Sequence, residues 1–360
     1  MIRVLVVAEP STQRDFLVQA LASDARFQIV AIAVDGHEAA RLTAQLRPDV
    51  IAMNLILARL DGIDATRRIM AETPTPIVIF GSTVDGTPTA TAAEVLQAGA
   101  MTVVDQPLTS NGRSVHELLT TLRLMSEVKV VRRPASGAHR SLVRVPLHEP
   151  TPLHAIKSRR PVVVLVAAST GGPQAIQTLL RALGPDLDVP VLVVQHMSSG
   201  FLAGMVGWLA GTCPQSVRLA AHGDDPAGGT VYIAPEDYHL LVSRTGNLAL
   251  SKAPPVGGFR PSANTLFESA AQCHRGRAIG AVLTGMGDDG AAGLAALRGA
   301  GASTIAQDED SAVVFGMPRA AAGAAERVLP LAAIGPAVRR LLGLKLLPHV
   351  VDSQADASWT

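Results

Sequence analysis

Residues 162–173 read VVVLVAASTGGP, and this stretch decides the fold of the second half of the 360-residue chain. Residues 162–167 form a continuous apolar run rich in β-branched side chains, which is typical of a strand buried on both faces of a parallel sheet. The glycines that follow allow a tight turn before a segment with helical spacing. The stretch therefore predicts a strand, a tight turn and a helix.

Two further apolar runs, residues 189–195 and 278–283, are also followed by small-residue loops and helical spacing. They predict neighbouring buried parallel strands. Between them, residues 230–233, 239–242 and 247–251, with a turn at 244–246, predict an antiparallel hairpin region. We therefore expect an α/β parallel-sheet domain with an antiparallel β insert.

The first part of the chain alternates short Val/Ile-rich runs with amphipathic segments such as residues 38–46 and 65–72. The runs are residues 2–7, 29–33, 50–53, 76–80 and 102–104. This alternation predicts an α/β domain of the doubly wound, flavodoxin-like kind, with five parallel strands and helices on both faces. A ligand site is expected at the carboxyl ends of these strands.

Length and composition limit the function classes. A chain of 360 residues predicts two domains, and 48% hydrophobic with 17% charged residues excludes a mainly disordered protein. No apolar run reaches the roughly 20 residues of a membrane span, and no secretory signal is evident. Two cysteines predict neither a disulfide framework nor a metal cluster. We expect a cytoplasmic protein without membrane insertion, cofactor or metal, and the net charge of +1 disfavours a nucleic-acid binder.

Residues 126–160 hold eight basic and two acidic residues together with four prolines. Such composition without apolar periodicity indicates a linker. A basic linker is most often only solvated, and partner binding stays an open alternative. The predicted organisation is a first domain at 1–125, a basic linker at 126–160, a second domain at 161–345 and a tail at 346–360.

Three predicted strand ends bring reactive groups to one edge of the second sheet. Ser169 occupies the turn after the first strand, where it is either a nucleophile at a strand-to-helix turn or a helix N-cap. His196 directly follows the next strand, and parallel neighbours place their carboxyl ends together. Asp288 or Asp289, after a third strand, then orients the imidazole, and spacing does not separate these two neighbours.

Two alternatives compete for the same half of the chain. The first alternative is a dinucleotide-binding site, because residues 285–290 fit the GxGxxG pattern and Asp308 lies near the position of a ribose-binding acid. Against it, the two carboxylates in this loop would repel the pyrophosphate of a dinucleotide. A metal site in the HGDD stretch at 222–225 is weaker still, because such turns are usually hydrated. Both readings rank below the Ser/His/Asp arrangement.

The order of the first domain, with its Leu60-Asp61-Gly62 turn, resembles the receiver domain of response regulators over about residues 1–125. The resemblance places the family's acidic residues, phosphoacceptor, hydroxyl and lysine at Ala8, Glu9, Asn54, Ser82 and Gln106. Asn54 has an amide where a nucleophilic carboxylate is needed, Ala8 supplies no Mg²⁺ ligand, and Gln106 carries no charge. We therefore predict a pseudo-receiver that is not phosphorylated. A shifted alignment with Asp61 or Asp64 as acceptor is the weaker alternative, since both lie beyond the strand end.

The second domain resembles the catalytic domain of chemotaxis-type protein-glutamate methylesterases over about residues 160–345. The resemblance is carried by the motifs ASTGGP at 168–173, QHM at 195–197, VYIAP at 231–235, RPS at 260–262, LTGMGDDG at 283–290 and VFGMP at 314–318. It implies a triad of Ser169, His196 and Asp289, and so selects Asp289 over Asp288 by analogy. Backbone N–H groups near Thr170 and Met286 are the expected oxyanion donors.

The implied reaction is hydrolysis of γ-glutamyl methyl esters on the cytoplasmic helices of methyl-accepting chemoreceptors, with glutamine deamidation as a related activity. Other chemosensory signalling proteins are possible further partners. In the family the receiver covers the esterase site until it is phosphorylated. Here the first domain either inhibits until a partner displaces it or docks partners beside a constitutive esterase. A non-enzymatic signalling scaffold that keeps the esterase fold is the alternative function.

Overall fold

The computed structural model describes residues 1–55, 57, 62–81, 94, 98–100, 102–105, 112–128, 160–197 and 200–347. Most of the predicted linker and tail, residues 129–159 and 348–360, lies outside the described residues. Asp61, Ser82 and Gln106 of the predicted receiver pocket also lie outside them.

The first domain is a five-stranded parallel sheet with the strand order β2-β1-β3-β4-β5. Its strands are β1 (Ile2–Val7), β2 (Phe27–Ala33), β3 (Val50–Asn54), β4 (Ile77–Gly81) and β5 (Thr102–Asp105). The described helices are α1 (Thr12–Ala22), α2 (Gly36–Leu46), α3 (Gly62–Glu72) and α4 (Gly112–Met125). The predicted flavodoxin-like architecture is confirmed.

Local sequence signals explain where these helices begin. The Ser11 hydroxyl accepts a hydrogen bond from the Arg14 N–H at 3.2 Å and caps α1. A carboxylate oxygen of Asp35 accepts from the Glu38 N–H at 2.8 Å and caps α2. Each cap satisfies one of the backbone donors that a helix N-terminus leaves without an intrahelical partner.

The second domain is built on a seven-stranded parallel sheet with the order β14-β13-β12-β6-β7-β9-β8. Its strands are β6 (Val163–Ala168), β7 (Val191–Gln195), β8 (Ser216–Leu219), β9 (Thr230–Ile233), β12 (Ala278–Val282), β13 (Ser303–Gln307) and β14 (Arg327–Leu329). Its helices are α5 (Gly172–Leu183), α6 (Leu202–Thr212), α7 (Ala263–His274), α8 (Ala291–Gly299), α9 (Met317–Ala321) and α10 (Leu331–Leu341).

An antiparallel hairpin, β10 (His239–Val242) with β11 (Leu248–Ser251), stands apart from this sheet and confirms the predicted insert. Residues 230–233 do not belong to it as predicted, because β9 pairs in parallel with β7 and β8. The side chains of Val231, Tyr232 and Ile233 are all buried, whereas a hairpin strand with one solvated face alternates in burial. The prediction for residues 230–233 was wrong because it relied on their closeness in sequence to the hairpin.

Strand β6 lies in the middle of the second sheet, between β12 and β7. Val164 and Val166 pack into the hydrophobic cluster with α5, α6 and α10, while Val163, Leu165 and Ala167 pack into the cluster with α7 and α8. Both faces of the strand are therefore buried, as its continuous apolar run predicts. None of the described helices is long and apolar enough to cross a membrane.

Candidate active site

The register of three central strands brings the predicted site to one edge of the sheet. Ala168 pairs with Gln195 across β6 and β7, and Ala167 pairs with Val282 across β6 and β12. Past the strand ends, the His196 N–H donates to the Ala168 carbonyl at 2.9 Å, and the Ser169 N–H donates to the Thr284 carbonyl at 3.0 Å. The loops that carry the three predicted triad residues are thus joined directly to each other.

The turn after Ser169 depends on two glycines. Gly171 has a φ of 74°, in the left-handed region, and a Cβ there would lie 2.6 Å from Cβ of Val313. A Cβ on Gly172 would lie 2.0 Å from the side-chain oxygen of Gln195. Gly171 is the N-cap of α5 and makes no side-chain cap bond. The alternative that the Ser-Thr pair caps this helix is therefore wrong.

Gln195 fastens the ends of β6 and β7 to each other. Its Nε2 donates to the Ser169 carbonyl at 2.8 Å and to the His196 carbonyl at 2.7 Å. The side chain is 3% exposed, so these bonds are shielded from water. Gln195 thereby fixes the backbone of both Ser169 and His196, a role that the sequence did not indicate.

Asp289 is the acidic partner of His196. Its Oδ2 lies 2.9 Å from His196 Nε2, and the carboxyl group is 3% exposed, whereas the neighbouring Asp288 is exposed. Three groups at the start of α7 also donate to Asp289: the Ser262 hydroxyl at 2.8 Å, the Ala263 N–H at 2.6 Å and the Asn264 N–H at 3.1 Å. The structure thus brings together His196 and the aspartate that the family resemblance selected.

These donors determine the charge of Asp289. Burial by itself raises the pKa of a carboxyl group, but the hydrogen bond and charge of His196 and the two backbone N–H groups outweigh it. The pKa of Asp289 is consequently lowered, and the group is a carboxylate that only accepts hydrogen bonds. The proton in the His196–Asp289 bond therefore sits on Nε2 of His196.

The other ring nitrogen of His196 is the one left to take a proton. Nδ1 is buried and has no hydrogen-bond partner among the residues that the structure describes, so the ring is not yet bonded to Ser169. Phe259 stacks on the imidazole with ring centroids 4.1 Å apart and planes only 6° from parallel. The ring is thus held by an edge-on carboxylate and a facing aromatic side chain.

The predicted oxyanion donors lie on the two loops nearest Ser169. A Cβ on Gly285 would lie 2.7 Å from Cβ of Ser169, so the loop that contains Met286 passes directly beside the serine. Within the described part of the chain, neither the Thr170 nor the Met286 N–H donates a hydrogen bond. Thr284 holds the two loops together, since its hydroxyl donates to the Thr170 carbonyl at 2.9 Å.

Sequence reasoning missed several residues around the triad. Ser262 has the residue type and position of a helix N-cap, yet it makes no cap bond and directs its hydroxyl to Asp289. Phe259 and the buried His239 come from the loop and hairpin between β9 and α7. The RPS motif at 260–262 could have indicated two of these residues, because it contains Ser262 and directly follows Phe259.

The first domain packs against residues that flank this site. Phe201, 1% exposed, lies in a hydrophobic cluster with residues from β1, β3, β4 and α3, and Met197 packs against the same cluster. Val314 lies in the cluster on the other face of the first sheet, with Met286 and Val313 packed beside it. The Gln174 amide also donates to the Ala100 carbonyl at 2.9 Å. Met197 and Met286 are thus contacted from the first domain, next to His196 and within the loop of Asp289.

The predicted receiver pocket lies at the carboxyl ends of β1 and β3, which are neighbours in the first sheet. Ala8 is fully buried, Glu9 is exposed and Asn54 is half-buried at the last position of β3. Ser82 and Gln106, immediately after β4 and β5, lie outside the described residues. Asp64 is on α3, where it forms an ion pair with Arg67 at 2.7 Å.

The acidic residues of the two alternative sites, the metal site at 222–225 and the dinucleotide site with Asp308, have partners nearby in the chain. Asp224 accepts from Arg218 at 2.9 Å and from the Ala221 N–H at 2.8 Å. Asp308 accepts from the backbone and hydroxyl of Ser311 at 3.0 and 2.6 Å. In the described part of the chain, no three histidine, cysteine or acidic side chains are grouped so that they could hold a metal ion.

Residues 164–338 match the family model of the CheB methylesterase, and residues 4–115 match that of the response regulator receiver domain. A protein-glutamate methylesterase/protein-glutamine glutaminase of Geobacter metallireducens is 39% identical over 338 residues, which cover 92% of this chain and 96% of that protein. One of Anaeromyxobacter dehalogenans is 42% identical over 348 residues, 94% of this chain and 97% of that protein. The crystal structure of the Thermotoga maritima CheB methylesterase catalytic domain matches with a TM-score of 0.48 at 33% identity, covering 51% of this chain and 98% of that domain. The chain therefore belongs to the CheB methylesterase family and combines its catalytic domain with a receiver domain.

Proposed function

We propose that this protein hydrolyses glutamate methyl esters on methyl-accepting chemoreceptors with a triad of Ser169, His196 and Asp289. The observation that carries the proposal is the buried His196–Asp289 bond of 2.9 Å at the same sheet edge as the Ser169 turn. A carboxylate that fixes the imidazole, which in turn activates a serine hydroxyl, is the arrangement that acyl transfer needs.

The first half of the reaction forms an acyl-enzyme. Nδ1 of His196 takes the Ser169 proton as Oγ attacks the ester carbonyl, and Asp289 stabilises the imidazolium that results. The N–H groups of Thr170 and Met286 stabilise the oxyanion of the tetrahedral intermediate. Methanol then leaves with the proton held by His196. Ser169 has to turn towards Nδ1 when substrate binds, as catalytic hydrogen bonds often form only in the complex.

The second half releases the product. Water gives a proton to Nδ1 of His196 and attacks the acyl carbonyl, which frees the glutamate carboxylate and restores the Ser169 hydroxyl. A glutamine carboxamide undergoes the same sequence with ammonia as the leaving group. Deamidation is therefore part of the proposed activity, in line with the names of the two relatives. No step needs a cofactor or a metal ion.

The proposed substrates are the cytoplasmic helices of chemoreceptor-like proteins, which places the enzyme in the cytoplasm, with other chemosensory signalling proteins as further partners. The proposed organisation keeps the predicted boundaries: a pseudo-receiver at 1–125, a basic linker at 126–160, the esterase at 161–345 and a tail at 346–360. This assignment follows the family to which the chain belongs.

We further propose that the first domain inhibits the esterase and that a partner protein, rather than phosphorylation, separates the two. Asn54, Ala8 and Gln106 lack the groups that bind Mg²⁺ and accept a phosphoryl group. The packing of the first domain against Met197 and Met286 supports inhibition over a free esterase beside a docking module.

Methanol release from a methylated receptor fragment tests the proposal. The full-length protein is expected to release methanol at a basal rate, and Phe201→Ser, which weakens the contact between the domains, is expected to release it faster. The absence of methanol from both proteins contradicts the esterase and supports the scaffold alternative. Equal, substantial rates for the two folded proteins contradict only the inhibition.

A further inference from the structure

We propose that the buried His239 is a positioning residue of the triad, holding both ends of the loop at 252–262 so that this loop fixes Asp289 and His196 together. The inference rests on the function proposed above and assigns a role to a second histidine. His239 does not follow a strand of the main sheet and has no role in proton transfer. It belongs to the hairpin insert, as the first residue of β10.

His239 is 1% exposed, and both of its ring nitrogens are bonded to the backbone of the loop. Nε2 lies 3.1 Å from the Pro254 carbonyl near the start of the loop. Nδ1 accepts from the Ser262 N–H at 3.2 Å at its end. The imidazole therefore bridges two points that are separated by eight residues of chain.

These two partners fix the form of the ring. A carbonyl oxygen accepts only from an N–H, and a backbone N–H donates only to a nitrogen lone pair. The neutral imidazole with its proton on Nε2 is the form that satisfies both at once. An apolar side chain in this position leaves the buried Ser262 N–H without an acceptor, which is costly inside a protein.

The end of the loop leads to Asp289. Ser262, whose N–H donates to His239, donates its own hydroxyl to Asp289 Oδ1 at 2.8 Å. The next two backbone N–H groups, of Ala263 and Asn264, donate to the same carboxylate. Three of the donors that hold Asp289 thus follow directly from the backbone position that His239 fixes.

The middle of the loop leads to His196. Val256 and Phe259 exchange two backbone hydrogen bonds of 3.0 Å across a turn, which presents the Phe259 ring to the His196 imidazole. Arg260 supports this turn by donating to the Lys252 and Ala253 carbonyls at 3.3 and 3.4 Å. The end of this loop therefore donates to the carboxylate at the edge of His196, and its middle places an aromatic ring on the face of His196.

The test uses full-length His239→Asn and His239→Gln, with His222→Asn as the matched control. His222 is exposed and accepts from the Leu250 N–H at 3.2 Å, away from the triad. Asparagine keeps an acceptor oxygen near the position of Nδ1 and with it the bond from the Ser262 N–H, whereas glutamine reaches only the Pro254 carbonyl and leaves the Ser262 N–H without its acceptor. kcat and KM for methanol release are measured per folded molecule, together with the rate at which a fluorophosphonate labels Ser169.

We expect His239→Gln, which loses the bond to Ser262, to lower both kcat and the labelling rate by about 10- to 100-fold, with KM within about threefold of wild type. We expect His239→Asn, which keeps the bond to Ser262, to stay within about fivefold of wild type, and His222→Asn to have no effect. Equal kcat values for the asparagine and glutamine variants overturn the inference, as does a loss confined to KM.

A measurement on the wild-type protein covers the case in which a variant does not fold. Nitrogen-15 spectra of the histidine rings are expected to show His239 protonated on Nε2, with a hydrogen-bond coupling to the Pro254 carbonyl carbon. Protonation on Nδ1 overturns the inference. Failure of the esterase proposal has a different signature, since Ser169→Ala then releases methanol as fast as wild type or no protein releases any.

Discussion

Nε2 of His196 bonds to Oδ2 of Asp289 at 2.9 Å, while Nδ1 is buried without a hydrogen-bond partner among the described residues. In the serine protease triad the carboxylate holds Nδ1, and Nε2 takes the serine proton. In the proposed mechanism the two nitrogens of His196 exchange these roles. His196 directly follows β7, and Ser169 directly follows the neighbouring strand β6. Nδ1 lies closer to the backbone than Nε2 does, which fits a reaction with a serine at the adjacent strand end.

This bond predicts a large effect of Asp289→Asn. An amide that donates to His196 reverses the tautomer and puts the proton on the nitrogen that has to accept one. We expect kcat for methanol release to fall by about 10³-fold or more. Asp288→Asn is the matched control, because that side chain is exposed, and it is expected to remain within about twofold of wild type. Similar losses in both variants contradict the assignment of Asp289.

The lowered pKa of Asp289 predicts a contribution to stability that depends on pH. The pKa in the folded protein lies below the ordinary value of 3.8, so the contribution is fully present above that value and is lost as the pH falls through the folded pKa. Acidification from pH 6 to pH 3 is therefore expected to reduce the free energy of unfolding less in Asp289→Asn than in wild type. Urea denaturation at both pH values measures the difference, and equal reductions exclude the contribution.

The close approach of Gly285 to Ser169 predicts that Gly285→Ala impairs the enzyme. The new methyl group would lie 2.4 Å from Sδ of Met317 and 3.0 Å from the Ser169 nitrogen, so the backbone of one loop has to move. We expect a cost of about 1–3 kcal/mol in stability and a loss of about tenfold or more in kcat.

Gly207→Ala is the control for that substitution. Gly207 is an exposed position in α6 with nothing within 4 Å of the added Cβ. Alanine is expected to stabilise this helix by about 0.5–1 kcal/mol and to leave kcat unchanged. Unchanged kcat in folded Gly285→Ala contradicts the proposed geometry of the nucleophile turn.

The degenerate receiver pocket predicts resistance to phosphorylation. The full-length protein with Mg²⁺ and a small phosphodonor such as acetyl phosphate is expected to acquire no aspartyl phosphate. Asn54→Asp alone is expected to remain poorly labelled, since Ala8 and Gln106 still lack the metal ligand and the cation. Stoichiometric labelling of the wild-type protein contradicts the proposal and returns Asp61 or Asp64 to consideration.

The contact between the domains predicts the direction of the Phe201→Ser effect. Removing a buried phenylalanine lowers the free energy of unfolding by about 3–5 kcal/mol when the cavity persists. Because Phe201 packs against the first domain, part of this loss weakens the interaction between the two domains. We expect methanol release to increase several-fold. Leu219→Ser, at an exposed apolar position on β8, is expected to leave the rate unchanged. A lower or equal rate in folded Phe201→Ser contradicts inhibition by the first domain.

The sequence predicts the first sheet, the three central strands of the second sheet and two members of the candidate site, because those features depend on local pattern. It does not predict β8, β13 and β14. A buried apolar run followed by small residues predicts β6 and the Ser169 turn, and the neighbouring strand end predicts His196. The choice of Asp289 over Asp288 depends on which adjacent side chain is buried against α7, and that is a tertiary property. Family resemblance supplied it where spacing did not.

The residues around the triad were missed for a related reason. Ser262, Phe259 and His239 reach the site because the hairpin insert folds back over the sheet edge, and pairings over such distances leave no periodic signal. The same limit explains β9, because its pairing with β7 and β8 is a tertiary property that the four residues of the strand do not encode. Side chains cap the helices at Ser11 and Asp35, whereas neither Ser169 nor Ser262 makes a cap bond, and the Ser262 hydroxyl donates to Asp289 instead.

The most direct test of the account is the rate at which Ser169→Ala releases methanol from a methylated receptor, measured in the Phe201→Ser background. Alanine removes the proposed nucleophile and keeps Cβ, the atom of Ser169 that lies nearest to a Cβ added at Gly285. We expect a fall of about 10³-fold or more, with the thermal unfolding temperature unchanged. A rate within tenfold of the Phe201→Ser parent contradicts catalysis by this triad.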